Sequence, residues 1–172
     1  MTEYEETTEI LTGLPDSARV WIYAADRDLD AHEQERLTAI LADFCSAWSS
    51  HARKVESSSA ILAGRFAVIA GMIPGGDVSG CGIDASVHAM DRAAEELSLA
   101  WLPSIWIHYR SASGGVRSCT RPQFREYVRS REVGAETGVF DLNIQTLGEL
   151  RHGAFERAAR DTWHARVFGL AG

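Results

Sequence analysis

The 172-residue sequence has little lysine and no long hydrophobic run, and each absence excludes a class of protein. Arginine supplies all but one of the basic residues, and the single lysine is Lys54. A nucleotide-binding P-loop needs a Gly-Lys-Ser/Thr ending, whereas Lys54 is followed by Val55 and has no glycine close before it. The chain is therefore not a P-loop ATPase. No apolar stretch approaches the roughly 20 residues that span a bilayer, so we expect no membrane association.

Cysteine is scarce and unpaired, which excludes a disulfide framework or a zinc knuckle. Cys45, Cys81 and Cys119 lie far apart and form no CxxC pair. The six histidines lack the short spacings of metal ligands, so we expect neither a metal nor another cofactor. The N-terminus lacks the basic-then-apolar order of a signal peptide. A cytoplasmic location with reduced thiols is the resulting expectation.

Acidic residues are concentrated before the first basic residue, Arg19. The formal net charge is −7, and the rest of the chain is nearly neutral. We therefore predict an acidic, solvated tail at 1–16, for which disorder is one interpretation, and a single α+β domain at 17–172. The acidic residues of this tail are Glu3, Glu5, Glu6, Glu9 and Asp16.

Hydrophobic periodicity and turn signals predict the element order β-α-β-β-α-β. This is the order of the ferredoxin-like split βαβ unit, so we predict a ferredoxin-like core with an added β-hairpin strand at 116–119 and C-terminal helices. A three-layer α/β sandwich is the alternative. The predicted strands are 18–24, 57–62, 65–71 and 104–109, with helices capped by Asp30 and Asp84, a third helix from Thr120, and a short helix at 154–160.

Topology then predicts which loops are neighbours. If strands 18–24 and 65–71 are parallel, the loops that follow them lie at the same end of the sheet. Asp26 and Arg27 would then face the loop 79–84. The first helix is predicted to end between His51 and Lys54, which puts His51 at the opposite edge of the sheet.

The loop 79–84 has a glycine-flanked cysteine that runs into a helix, and two functions remain open for it. Backbone N–H groups at a helix N-terminus stabilise an anion or a thiolate. One hypothesis is a binding module for a small anionic ligand or a protein partner, with self-association through the sheet as a homodimer. Its ligand-binding residues would be Asp26, Arg27, Ser79, Gly80, Gly82, Asp84 and Arg166.

The second hypothesis is a thiol-dependent enzyme. Cys81 would be the nucleophile, His164 or His88 the base, and the loop N–H groups an oxyanion hole. The absence of any complete catalytic pattern favours the binding module. Purely structural roles also fit: Cys81 as a small packed hydrophobe, Asp84 as a helix cap, and the segment around His164 as a C-terminal plug.

A row of arginines repeats every four residues at Arg121, Arg125 and Arg129. Such a row can contact phosphates, but Glu126 dilutes its charge and the aromatic residues of an RNA-binding sheet are missing. We therefore interpret it as a solvated helix face and do not expect nucleic-acid binding.

Five motifs occur together along the chain: Trp21-Ile22-Tyr23 with Arg27, Phe44 with Trp48 and His51, Arg65-Phe66, Ser79-Gly80-Cys81-x-Ile83-Asp84 with Val87-His88, and Trp163-His164-Ala165-Arg166-x-Phe168. Together they resemble a family of small uncharacterised bacterial proteins that often carry the label "ABC transporter ATPase". The resemblance implies a shared architecture and shared positions but no reaction, and the missing P-loop contradicts the label. The chain departs from the family at Gly82, where serine is usual, and at 72–74, where an acidic pair is common.

Overall fold

Two antiparallel β-sheets lie face to face in the computed structural model, which describes residues 11–170. The strands are β1 Arg19–Ala24, β2 Ser49–Ser50, β3 Arg53–Lys54, β4 Glu56–Leu62, β5 Phe66–Met72, β6 Ile107–Arg110, β7 Val116–Cys119, β8 Gly138–Phe140 and β9 Glu156–Ala158. The helices are α1 Ala31–Ala47, α2 Gly80–Leu97, α3 Arg121–Arg129, α4 Leu147–Arg151 and α5 Trp163–Phe168, with a 3₁₀ turn at Ala159–Asp161.

The first sheet has the strand order β1-β5-β4, and β5 is its central strand. Residues of β5 alternate between two cores, because Phe66 and Val68 face the second sheet while Ala67 and Ile69 face α1 and α2. The continuous apolar run from Phe66 is typical of a strand buried on both faces, and residues 66–71 are buried. Neither face of β5 is open for self-association.

The second sheet has the order β7-β6-β8-β9 and completes a four-layer arrangement. Phe140 on β8 packs against Phe66 of the first sheet, with ring centroids 4.9 Å apart. On the other face, Tyr109 of β6 packs against Phe124 of α3. Phe66 is fully buried, which stabilises the fold by roughly 2–3 kcal/mol. The layers run α1/α2, first sheet, second sheet, α3/α5.

The α+β class is confirmed, but a complete ferredoxin-like core is not. Strands β1 and β4 both pair antiparallel with β5 between them, as in a split βαβ unit. The strand expected as the fourth member of that sheet is β6, which lies in the second sheet. Among residues 11–170, the segment before β6 makes a single isolated bridge next to β1, from Trp101 to Ala25, because a turn at Pro103 directs the chain away. A separate bridge joins Arg19 to Thr146. The four layers also differ from a three-layer sandwich.

The expected parallel relation between the first and third strands is wrong. Strands β1 and β5 are antiparallel neighbours, with Arg19 opposite Gly71 and Ala24 opposite Phe66. The reason is the tight turn after β4, which sends β5 back between β1 and β4. The loops that follow β1 and β5 therefore lie at opposite ends of the first sheet.

Residues 11–16, assigned above to the tail, are packed against the rest of the chain. Leu11 and Leu14 are buried, and the Arg151 guanidinium donates hydrogen bonds to both of their carbonyls, at 2.6 and 2.9 Å. The same guanidinium pairs with Asp16 at 2.6 Å. The packed chain therefore begins before residue 17, and the tail prediction for residues 1–10 lies outside the described residues.

Two further findings concern the helices. The helix predicted at 154–160 is wrong, because residues 156–158 form β9 and pair with β8. Among residues 11–170, no helix combines the length and the apolar character needed to cross a membrane.

Candidate active site

Cys81 lies in the first turn of α2, the second residue of that helix. The helix begins at Gly80 with Ser79 as its N-cap, five residues before the predicted cap. Asp84, the expected cap, is an exposed residue of the second turn. The Ser79 side chain makes no capping hydrogen bond, because its hydroxyl contacts Cys81 Sγ at 3.2 Å and the Ser50 hydroxyl at 2.5 Å. Cys81 thus occupies the helix end where N–H groups lack intrahelical partners.

The surroundings of Cys81 favour the thiolate. The sulfur is exposed to solvent, and its pKa is lowered by the Ser79 hydroxyl and by the backbone N–H groups of His51, Gly82 and Cys81 itself. The helix N-terminus adds positive potential at the same place. Cys45 and Cys119 differ in every respect, because both are buried and burial raises their pKa, that of Cys119 to about 12. Of the three thiols, Cys81 is the one suited to react.

A hairpin between β2 and β3 brings a histidine to this thiol. His51 Nε2 lies 3.9 Å from Cys81 Sγ, although the predicted topology put His51 at the opposite edge of the sheet. The earlier expectation fails because β5 is antiparallel to β1, so the loop after β5 lies at the same end of the first sheet as the C-terminus of α1. There α1 ends at Ala47 and the chain turns back into β2. His51 was overlooked as a partner for this reason. The pair of serines after Trp48, poor helix formers, was the available signal that the helix had ended.

The turn that carries His51 has a strained backbone. His51 and Ala52 form the two-residue loop between β2 and β3, and both have positive φ, at 50° and 61°. Such loops match the strand twist but favour Asn and Gly, and other residues in this region cost roughly 1–2 kcal/mol each. Ser50 holds the hairpin in place, because its Oγ accepts a hydrogen bond from the Ser79 N–H at 3.1 Å.

Two glycines allow the hairpin to approach α2. Trp48 is buried beneath the site and donates its indole N–H to the Gly82 carbonyl at 2.8 Å. A Cβ on Gly71 would lie 2.6 Å from the Trp48 ring, and one on Gly82 would lie 2.9 Å from Ser50 Cβ and Val78 Cγ1. A side chain at either glycine would displace its neighbours. Gly80, by contrast, has open space around it.

Asp26 and Arg27 lie at the other end of α2. Arg27 donates to both carboxylate oxygens of Glu33, each at 2.8 Å, and to the Leu97 carbonyl at 3.1 Å. This pairing lowers the pKa of Glu33 to about 2. Asp26 accepts a hydrogen bond from the Ala100 N–H. Because α2 has 18 residues, its two ends are about 27 Å apart, and the expected contact with the loop 79–84 is absent.

The histidines predicted as bases do not reach Cys81. His88 follows Cys81 by seven residues on the same helix, which corresponds to roughly 10 Å along the axis. His164 is buried beyond the second sheet, where its Nδ1 contacts Thr162 Oγ1 at 2.8 Å and its ring stacks on Trp163. Burial lowers the pKa of His164 to about 4. Arg166, also on α5, is exposed and belongs to that distant layer.

Neither a search for metal-binding groups nor comparison with known proteins adds functional information. Within residues 11–170, no group of three or more His, Cys, Asp or Glu side chains is arranged to hold a metal ion. Comparison of the chain with protein-family models, curated proteins and solved structures finds no match. We therefore infer function from the geometry around Cys81.

Proposed function

We propose that the protein is a thiol-dependent enzyme in which Cys81 is the nucleophile and His51 its proton-transfer partner. The observation that carries the proposal is the 3.9 Å approach of His51 Nε2 to the Cys81 sulfur at an exposed helix N-terminus. A thiolate needs a base within reach and donors that stabilise its charge. Ser79 and the first-turn N–H groups supply those donors, as the lowered pKa of Cys81 indicates.

Acyl transfer is the reaction class that these groups fit. The thiol proton moves to His51 Nε2, and the sulfur attacks the carbonyl carbon of an ester or thioester. A C–S bond forms while the carbonyl π electrons move to oxygen. The sulfur loses its negative charge in this step, so the N–H groups of Cys81 and Gly82, which face the thiolate at rest, become free to stabilise the oxyanion. Collapse of this intermediate expels the leaving group, which takes the proton from His51. Water, deprotonated by His51, then cleaves the S-acyl bond and restores the thiol.

The alternative of a small-anion binding module has less support. Its main cation, Arg27, is paired with Glu33 at the far end of α2. At the near end, the N–H groups that would hold an external anion already face the Cys81 sulfur. The thiolate itself fills the place of the anion.

Alkylation by iodoacetamide, followed by intact-mass spectrometry over a range of pH, tests the thiolate. We expect one adduct on the folded protein, at Cys81, and three adducts after denaturation, because Cys45 and Cys119 are buried. The pH at which the alkylation rate is half-maximal should lie below about 8.5, the ordinary pKa of a cysteine thiol. Cys81→Ser should abolish labelling of the folded protein. Labelling no faster than that of a cysteine tripeptide would contradict an activated thiol.

The role of His51 is tested with p-nitrophenyl acetate as acyl donor. We expect steady release of p-nitrophenol and an acetylated Cys81 intermediate for the unmodified protein. His51→Gln should slow turnover by about 100-fold or more, the usual contribution of a general base, and should shift the pH profile. His88→Gln is the matched control, since His88 is exposed on the same helix but out of reach. Equal rates for the two variants would refute the role of His51.

A further inference from the structure

A polar cavity at the end of the second sheet is separate from the Cys81 site. It has a volume of about 180 Å³ and lies between the loops 104–107 and 141–143 and the start of α5. In the four-layer arrangement, the two sheets separate this cavity from the layer that contains α2. Its polar lining includes His108, Arg121, Asp141, Asn143 and His164.

Arg121 gives the cavity a cation that has no ion-pair partner among residues 11–170, although Asp141 lines the same cavity. Its guanidinium lies 5.2 Å from the ring centre of Trp163, and among residues 11–170 it has no ion-pair or hydrogen-bond partner. Arg129 on the same helix is different, because it pairs with Glu126 at 2.6 Å. An anionic group in the cavity would find an unpaired guanidinium suited to bidentate binding.

His108, one of the residues that line the cavity, also has a buried nitrogen without a partner. His108 is 1% exposed, and its Nδ1 contacts Ser118 Oγ at 2.7 Å. Its Nε2 has no hydrogen-bond partner within the described part of the chain, which is unusual for a buried polar atom. Burial lowers the pKa of His108, like that of His164, to about 4, so both rings are neutral near pH 7 and can donate or accept hydrogen bonds.

The mouth of the cavity is apolar. Ile105 is 70% exposed and Trp163 is 36% exposed, although large hydrophobic side chains are normally covered. Next to the polar cavity is a hollow of about 260 Å³, lined by Ile105, Trp106 and Pro122, and Arg121 borders both spaces. Polar groups therefore converge beside an uncovered apolar surface, as in many small-molecule sites.

We propose that this cavity binds a small organic acid with an apolar body and a second hydrogen-bonding group. The acid pairs with Arg121, and the apolar body covers Ile105 and Trp106. The second group, a hydroxyl, meets the neutral imidazoles and donates to the Asp141 carboxylate, which also accepts a hydrogen bond from the Asn143 N–H at 2.9 Å. The site does not depend on the reaction at Cys81.

NMR titration of the full chain with 4-hydroxyphenylacetate tests the site. This probe has the acid, the aromatic body and the hydroxyl, while tyramine carries an ammonium in place of the acid. We expect saturable shifts of the His108 and His164 ring signals with the acid, and none with tyramine. Arg121→Gln should weaken binding by about tenfold or more, since a charge-assisted pair is lost.

The matched control is Arg125→Gln, one turn further along α3, where Arg125 lies over Phe168 rather than in the cavity. Its affinity should stay within about twofold, the small effect usual for a surface substitution outside the site. Both arginines are exposed, so both variants should fold. Cys81→Ser should bind normally, which separates this site from the proposed enzyme. Absence of saturable shifts, equal binding of tyramine, or equal weakening by the two arginine substitutions would overturn the proposal.

Discussion

A methyl group added at Gly82 should push the β2–β3 hairpin away from α2, whereas the same change at Gly80 should do no harm. The Cβ of Gly82→Ala would lie 2.9 Å from Ser50 Cβ and from Val78 Cγ1. Ser50 Cβ is fixed to the hairpin backbone, so it cannot rotate out of the way. A Cβ at Gly80 meets nothing within 4 Å. The two glycines share one helical turn, which makes the pair a matched comparison.

The magnitude follows from three contributions. Overpacking at a tight contact costs about 1–3 kcal/mol, and weakening the hydrogen bond between Ser50 and Ser79 costs about 1 kcal/mol more. Replacing glycine by alanine in a helix returns up to about 1 kcal/mol. Gly82→Ala should therefore lower the free energy of unfolding by about 1–3 kcal/mol. Gly80→Ala should leave it unchanged or raise it by up to about 1 kcal/mol.

Urea unfolding measures the stability difference, and the pH profile of Cys81 alkylation measures the effect on the site. Displacing the hairpin removes the His51 N–H and imidazole from the sulfur, so the alkylation midpoint of Gly82→Ala should move to higher pH. That of Gly80→Ala should stay in place. Equal stability of the two variants would refute the close packing of Ser50 on Gly82. A destabilised Gly82→Ala with an unchanged alkylation profile would instead refute the role of the hairpin at Cys81.

Two further predictions concern buried charged or titratable groups. His164 has a pKa of about 4 in the folded protein against about 6.5 unfolded, so its contribution to stability is complete above pH 6.5 and falls as the pH drops toward 4. In urea unfolding, the free energy of unfolding should decrease between pH 7 and pH 5, and His164→Gln should make this decrease smaller by roughly 2 kcal/mol. An equal decrease in the variant would contradict the burial of His164 in its neutral form. Arg65 is buried and donates to three backbone carbonyls, so Arg65→Met leaves three acceptors without their donor and should lower stability by about 3–5 kcal/mol in thermal unfolding. The control is Arg117→Met, an exposed position that should change stability by less than about 0.5 kcal/mol; similar effects of both substitutions would contradict the role of Arg65.

Local patterns predicted the parts of the fold that depend on neighbours in sequence. The capping box of Asp30 with Glu33 forms at the start of α1, and that of Thr120 with Gln123 forms at the start of α3. Both need contacts only three residues apart, so the residue types suffice. The pairing of β6 with β8 instead depends on contacts between residues 30 and 32 positions apart, which the strand pattern alone does not encode.

Of the candidate site, the sequence predicted the thiol but not its histidine partner, again because only local signals can be read from a sequence. Glycines around Cys81 and the helix that follows are local signals, and they located the thiol. Its partner was missed because β2 and β3 have two residues each and their turn, His51-Ala52, lacks the Asn-Gly type of signal. The wrong strand direction then placed His51 at the far edge of the sheet. Burial of Cys45 and Cys119 likewise became visible only in the packed structure.

The strained turn at His51 and Ala52 is the strongest argument that the Cys81 site is functional. A hairpin that only connected α1 to β4 could use Asn-Gly, which adopts the left-handed conformation at little cost, whereas His51 and Ala52 cost roughly 1–2 kcal/mol each. The chain keeps the strain and offsets it with contacts that all lead to the N-terminus of α2: the hydrogen bonds of Ser50 to Ser79, and that of Trp48 to Gly82. These contacts fix the His51 N–H and imidazole beside one exposed sulfur. Local strain held by the surrounding packing is characteristic of sites where geometry serves chemistry rather than stability.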